Sequence, residues 1–326
     1  MKSELVYLLH KAKENLLQHV AVVHFLFLWF ILPLITLWLP LYVLFFTRFW
    51  WAMILYFTWA VYDLDTPRRG SRKWNWYKTS FLWKYLADYF PLSLVKTVDL
   101  PQGKNYIVCC HPHGVFSIGA FVSFCTNATG FDKLFPGREL GIGLGGVESS
   151  HASLTYLLKT PIDSNQNGGR MIAIVVGGAE EALDAHPGKH DLTLNNRRGF
   201  CKFALRFGTD LVPAYSFGEN DVFAQVAENP RGTRLRKFQS RIKKLVGFCP
   251  PLFIGASLLK STIGIFPRRV PITTVIGKPI PVEKVSEPSQ KEIDELHARY
   301  CDALVELFES NKTKYGVPED VHLNIF

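Results

Sequence analysis

With 326 residues, the chain has room for one large domain or two small ones once a membrane segment is set aside. Its net charge of +9, from 37 Lys and Arg against 28 Asp and Glu, suits a phosphate-bearing ligand or an anionic lipid surface. No nucleic-acid partner is expected, because no recognisable binding motif accompanies the charge. The six cysteines (109, 110, 125, 201, 249 and 301) have no framework spacing and read as reduced thiols on the cytosolic side.

In chain order, residues 1–19 form a polar N-terminal segment expected in the cytosol. From Val20 to Phe46 there is no charge unless His24 is counted, which exceeds the roughly 20 residues needed to cross a hydrocarbon core. A second apolar run follows from Phe49 to Tyr62, so residues 20–62 are expected to be a membrane hairpin. It is either two spans or one re-entrant loop turning near Pro40 or Thr47-Arg48. Lys2, Lys11 and Lys13 precede it, and Arg68, Arg69, Arg72, Lys73 and Lys78 follow, which places both flanks in the cytosol. The alternative is a single span with a luminal domain. Only then could the sequons at Asn127 and Asn311 be glycosylated.

Residues 63–98 read as an interfacial segment, because Trp74, Trp76, Phe81, Trp83 and Tyr85 alternate with lysines in a pattern suited to a helix ending near Pro91. Residues 99–326 read as an α/β domain. Buried strands are expected at Tyr106–Cys110, Met171–Val176, Asp210–Tyr215 and Ile272–Ile276. A helix is expected over Gly199–Phe207, closed by Gly208. A final helix opens on the capping box Ser289–Glu292 with Ile293, Leu296, Tyr300, Leu304, Leu307 and Phe308 on its apolar face.

The first expected strand runs into His111-Pro112-His113-Gly114, at the strand end where α/β domains build their sites. The two histidines read as a structural pair, as metal ligands lacking an evident third partner, or as a general base. Gly114 lets the backbone turn sharply or pass closely. After the next strand, Gly177-Gly178-Ala179-Glu180-Glu181 could bring a carboxylate beside that histidine, or simply place acids at a helix N-terminus. A basic group at Arg197, Arg198, Lys202 and Arg206, with a further run from Arg231 to Lys244, suits acyl-CoA phosphates or an anionic membrane. No Gly-x-Ser-x-Gly nucleophile elbow is present, which counts against a hydrolase.

Together these residues resemble the type 2 acyl-CoA:diacylglycerol acyltransferases and their monoacylglycerol and wax-alcohol acyltransferase relatives. The resemblance rests on Tyr89-Phe90-Pro91, the His-Pro-His-Gly block, Phe135-Pro136-Gly137 and Val175-Val176-Gly177-Gly178-Ala179 with Glu181. It continues through Pro187-Gly188-Lys189, Asn196-Arg197-Arg198-Gly199-Phe200, Tyr215 to Asn220 and Pro271 to Val275, and so covers nearly the whole chain. It implies transfer of a fatty acyl group from acyl-CoA to an acylglycerol hydroxyl at the endoplasmic reticulum membrane or lipid-droplet surface. His113 would be the base, His111 its support and Glu181 its partner carboxylate. Gly114, Gly177, Gly178, Arg197, Arg198 and Lys202 would bind substrate, with acyl-CoA as co-substrate and no metal or redox cofactor. Diacylglycerol is the expected acceptor, with monoacylglycerol as the alternative. A homo-oligomer is compatible with the resemblance.

Two departures stand out. One or two dozen residues of the family pattern are missing after Gly137, and the family's His-Gly-Arg-Gly block reads Ile254-Gly255-Ala256-Ser257 here. These leave a second reading open, a lipid-binding membrane protein of the same family with impaired catalysis.

Overall fold

The computed structural model describes residues 2–72, 74–140, 151–160, 169–225, 229–246, 251–257 and 264–326. Helix α1 (Lys2–Leu26) begins well ahead of the uncharged stretch and passes through a π turn at Phe27–Ile31 into α2 (Leu32–Phe46). The widened turn lies just before Pro33, which has no N–H to donate and whose ring crowds the preceding turn. Residues 4–46 thus form one helix of 43 residues, long and apolar enough to cross a membrane. At about 1.5 Å per residue it extends roughly 65 Å, about twice a hydrocarbon core of roughly 30 Å. Only part of it has to face lipid. Ala21, Val22, Phe25 and Leu26 are buried against the rest of the protein, so the start of the expected anchor is a packing element.

α2 and the following α3 (Trp50–Tyr62) bury no residue at all, and Phe46 at the turn is 76% exposed. At 13 residues, α3 rises only about 20 Å, short of a full crossing. Both ends of this exposed apolar stretch return to one body. Asn15 of α1 accepts a hydrogen bond from Arg269 at 3.2 Å, and the turn at Pro67–Arg69 packs on the later helix α8 (His151–Lys159). A hairpin that enters and leaves on one side fits these connections.

The expected interfacial helix is broken into α4 (Asn75–Lys78) and α5 (Phe81–Tyr89), with Ser80 capping α5 through its hydroxyl. Trp83, Leu86, Ala87 and Tyr89 of α5 are buried with the inner face of α1, so half the aromatic stripe faces protein. Trp74, Trp76 and Phe81 remain exposed.

The chain then enters the sheet with β1 (Ser93–Lys96) and β2 (Tyr106–His111), so the sheet begins upstream of residue 99. After α6 (Ile118–Cys125), α7 (Phe131–Leu134), β3 (Glu139–Leu140) and α8 come β4 (Arg170–Val175) and α9 (Gly178–Ala182). The short β5 (Asp191–Leu192), α10 (Gly199–Phe207) and β6 (Asp210–Phe217) follow. The remaining elements are β7 (Ala224–Gln225), α11 (Arg234–Val246), β8 (Phe253–Ile254), β9 (Thr273–Ile276), α12 (Gln290–Glu309) and β10 (Asn324–Ile325). The main sheet runs β1-β9-β6-β2-β4-β3, parallel at every pairing except β6 with β9.

β2 is buried along its whole length because both faces are covered. On one face lie Phe200 and Ala204 of α10 and Tyr300, Leu304, Leu307 and Phe308 of α12. On the other, Phe124 and Phe131 pack against Tyr106, Val108 and Cys110. The capping box at Ser289–Glu292 is formed as expected. The chain goes from β2 to β4 on one side, then back past β2 to β6 on the other. The strand order therefore reverses at the carboxyl end of β2, the position where open α/β sheets hold their ligands. The glycine-rich run at 141–150 lies outside the described residues, so the shortened segment is described only up to Leu140.

Candidate active site

His111 is the last residue of β2, paired in register with Tyr215 of β6, and is fully buried. Its Nε2 lies 3.0 Å from the Tyr300 hydroxyl of α12, and Tyr300 in turn donates to the Cys109 carbonyl at 3.4 Å. Burial pushes the His111 imidazole down to about 3, so it is neutral. The ring supports α12 and makes no hydrogen bond to His113.

His113 is half-buried at the rim. Its Nδ1 is 2.9 Å from the Gly114 carbonyl, which can only accept, so Nδ1 carries the proton and Nε2 keeps its lone pair. Nε2 has no protein partner among the described residues. Burial lowers the pKa below the usual histidine value, partly offset by that backbone bond. The turn is held by the Ser117 hydroxyl and amide, both of which donate to the His113 carbonyl. Three residues on, the Phe116 ring lies 5.4 Å from Phe30 in the π turn, which ties the His-Pro-His turn to the long apolar helix.

Glu181, on α9 after β4, is buried and reaches the same turn. Its Oε2 accepts from the His113 backbone N–H at 3.2 Å, so the carboxylate fixes the loop, not the imidazole. The sequence suggested contact with the ring; the short α9 points the side chain at the backbone instead. Burial raises the Glu181 pKa to about 8, against the pull of the His113 and Thr193 amides and of the nearby Arg197. Gly177 is the reason the carboxylate fits, since a Cβ there would lie 1.5 Å from Oε2. Arg197 donates to the Gly177 carbonyl at 3.1 Å and braces this corner from the turn that precedes α10. A Cβ at Gly178 would meet only the Arg197 guanidinium, at 4.0 Å, but Gly178 has φ +62°, a backbone that favours glycine.

The remaining expected binding residues are not brought to this turn. Arg198 is paired with Asp294 of α12 at 2.5 Å, and Lys202 is exposed on α10.

Glu219, just after β6, is a site residue that sequence reasoning did not single out. It is buried, and its two oxygens accept from the Ile118 and Gly119 amides at 2.7 Å each, capping α6 behind the His-Pro-His turn. A Cβ at Gly114 would lie 2.6 Å from Glu219 Cγ, so Gly114 gives this carboxylate its place. The neighbouring Asn220 and Asp221 bind the Lys189 carbonyl and the Gly188 amide, which fixes the Pro187–Lys189 loop. The sequence did carry it within the Tyr215 to Asn220 run on which the family resemblance partly rests, without giving Glu219 a role. Among the described residues, no cluster of three or more His, Cys, Asp or Glu could hold a metal ion.

The model of the diacylglycerol acyltransferase family matches residues 42–326. The chain is 41% identical to 2-acylglycerol O-acyltransferase 1 of Bos taurus, over 93% of this chain and 94% of the relative. It is 44% identical to diacylglycerol O-acyltransferase 2 of Mus musculus, over 86% of this chain and 75% of that one. It is also 41% identical to the Bos taurus diacylglycerol O-acyltransferase 2, over 97% of this chain and 91% of that one. No solved structure matches the chain. The match across most of the chain, together with the histidine turn at the strand-order reversal, leaves one conclusion: the chain belongs to the diacylglycerol acyltransferase family.

Proposed function

We propose that the protein transfers a fatty acyl group from acyl-CoA to diacylglycerol, forming triacylglycerol, with His113 as general base. The observation that carries this is the Nδ1 bond to Gly114, which leaves a basic Nε2 at the carboxyl end of the central strand. Nε2 takes the acceptor's hydroxyl proton as that oxygen attacks the thioester carbonyl. The tetrahedral adduct then expels the CoA thiolate, which takes the proton back from the imidazolium. Glu181 contributes by holding the His113 amide, and Glu219 by fixing the helix behind the turn. Because Glu219 already fills the α6 N-terminus, the donors for the developing oxyanion come from elsewhere along the rim.

The 2-acylglycerol O-acyltransferase relative, aligned from end to end, supports monoacylglycerol as the alternative acceptor. The exposed apolar α2 and α3 suit a bilayer that supplies the acylglycerol, at the endoplasmic reticulum or a lipid droplet, with the basic domain in the cytosol. Asn311 Nδ2 donates to the Leu307 carbonyl, and Asn127 Oδ1 accepts from the Asp132 amide.

The test is a membrane assay with labelled acyl-CoA and each acceptor in turn, alongside His113→Ala. Triacylglycerol from the wild type and none from the variant is the expected result. No product with any acceptor would reject the enzyme, and full activity in the variant would reject the base. Glycosylation at Asn127 or Asn311 would reject the topology.

A further inference from the structure

Of the basic residues that suit acyl-CoA phosphates, Arg198 is paired and Lys202 turned outward, whereas the run from Arg231 to Lys244 lines a cleft that adjoins the catalytic corner. It has a volume of about 510 Å³ and lies between α11 and α9, with Glu180, Thr193, Arg231, Arg236, Lys237 and Arg241 in its lining.

Its cations fall into two groups. Arg236 is buried and ion-paired with Asp184 at 2.8 Å and Glu180 at 3.3 Å, and Arg231 with Asp184 at 3.2 Å. These pairs dock α11 onto α9. Lys237 and Arg241 are exposed and have no carboxylate partner among the described residues, so their charge is open to a ligand. Ser240 adds a hydroxyl between them.

The cleft is also wired to the site. Glu180 on its wall and Glu181 in the site are consecutive residues of the same short helix. Thr193 receives a bond from Arg231 on its hydroxyl at 2.8 Å.

We propose that this cleft receives the phosphates of the CoA nucleotide, with Lys237 and Arg241 as the binding cations and Arg231 and Arg236 as the fixed wall. The proposal rests on acyl-CoA being the donor substrate. A concave site with two unpartnered cations suits a nucleotide bearing several phosphates. A flat bilayer surface would instead engage the convex side of α11.

The experiment uses full-length protein in membranes, with Lys237→Gln, Arg241→Gln and the double variant, and Lys133→Gln as a control for general loss of charge. Each single cleft variant is expected to raise KM for oleoyl-CoA about tenfold with kcat and the acceptor KM unchanged, since charge-assisted bonds to phosphate are the strong ones. The wild type should prefer oleoyl-CoA to oleoyl-3′-dephospho-CoA, and the double variant should lose that preference. An unchanged KM in the double variant overturns the proposal. So does a loss confined to binding of phosphatidylserine vesicles, which would assign the cleft to lipid headgroups. If the wild type turns over no acceptor, the acyltransferase reading fails by itself. Equilibrium binding of adenosine 3′,5′-bisphosphate then decides the cleft: binding weakened in the variants supports it, and no binding by the wild type overturns it.

Discussion

The His-Pro-His turn has a floor and a rim, and they are built differently. The floor is His111, Cys109 and Tyr300, all fully buried, with a histidine driven neutral and bonded to a tyrosine 189 residues away. The rim is the half-buried His113 beside the buried Gly114, with two buried carboxylates behind it that grip backbone amides. Two histidines separated by one proline thus meet opposite solvents. The imidazole at the floor acts as packing with a hydrogen bond, and the one at the rim keeps an Nε2 without a partner among the described residues. Spacing alone cannot make that distinction, because it is set by which face of the turn the sheet and α12 cover.

Replacing the rim histidine should have the largest effect. His113→Ala is expected to lower kcat about a thousandfold, the size of a lost general base, with little change in thermal unfolding. A variant that stays folded and loses less than tenfold would break the contrast between rim and floor. Next comes the corner that seats Glu181. Gly177→Ala puts a methyl group 1.5 Å from the carboxylate oxygen and should displace it from the His113 amide. Because Glu181 can swing only part-way in a buried site, kcat should fall roughly 10- to 100-fold. Single-turnover assays with acyl-CoA would separate that loss from weaker binding.

The sequence made parts of this legible for plain physical reasons. β2, β4 and β6 are runs of apolar residues bounded by turn formers, and α12 announces itself with a capping box. Elsewhere, composition could not distinguish two kinds of apolar surroundings. Ala21, Val22, Phe25 and Leu26 look as lipid-ready as α2, but they are buried on α5. Contacts across long sequence separations were also invisible. Glu219 caps a helix about 100 residues upstream, and Tyr300 meets His111 from the last helix. His113, Glu181 and Gly177 were legible as a set because each follows one of two neighbouring parallel strands, β2 or β4. The atom that Glu181 would reach was not, since that depends on the length of α9.

The carboxylates offer a smaller test that separates rim from floor by pH. Burial raises Glu219 from the ordinary 4.5 to about 7. A carboxylate with a raised folded pKa adds stability below pH 4.5 and loses it as pH rises to about 7. The shift amounts to about 3 kcal/mol, as an order of magnitude. Glu219→Gln removes this titration, although its amide leaves one of the α6 N–H groups without an acceptor. The wild type's advantage over the variant, followed by thermal unfolding, should therefore be largest near pH 4.5 and shrink towards pH 8. A constant or growing advantage would mean that Glu219 is ionised at no cost in the fold.

Tyr300→Phe probes the floor and should do least to catalysis. The Tyr300 hydroxyl donates to the Cys109 carbonyl, so it can accept from His111 Nε2–H. This assignment leaves only an acceptor, Nδ1, without a partner among the described residues, which costs less than an orphaned donor. Phenylalanine would strand the Nε2–H and cost about 1–2 kcal/mol of stability. Activity at a permissive temperature should change less than threefold, because the His111 ring makes no hydrogen bond to His113. A thirtyfold loss without a shift in unfolding would mean that the floor takes part in the reaction, and the two histidines would have to be treated as one catalytic unit.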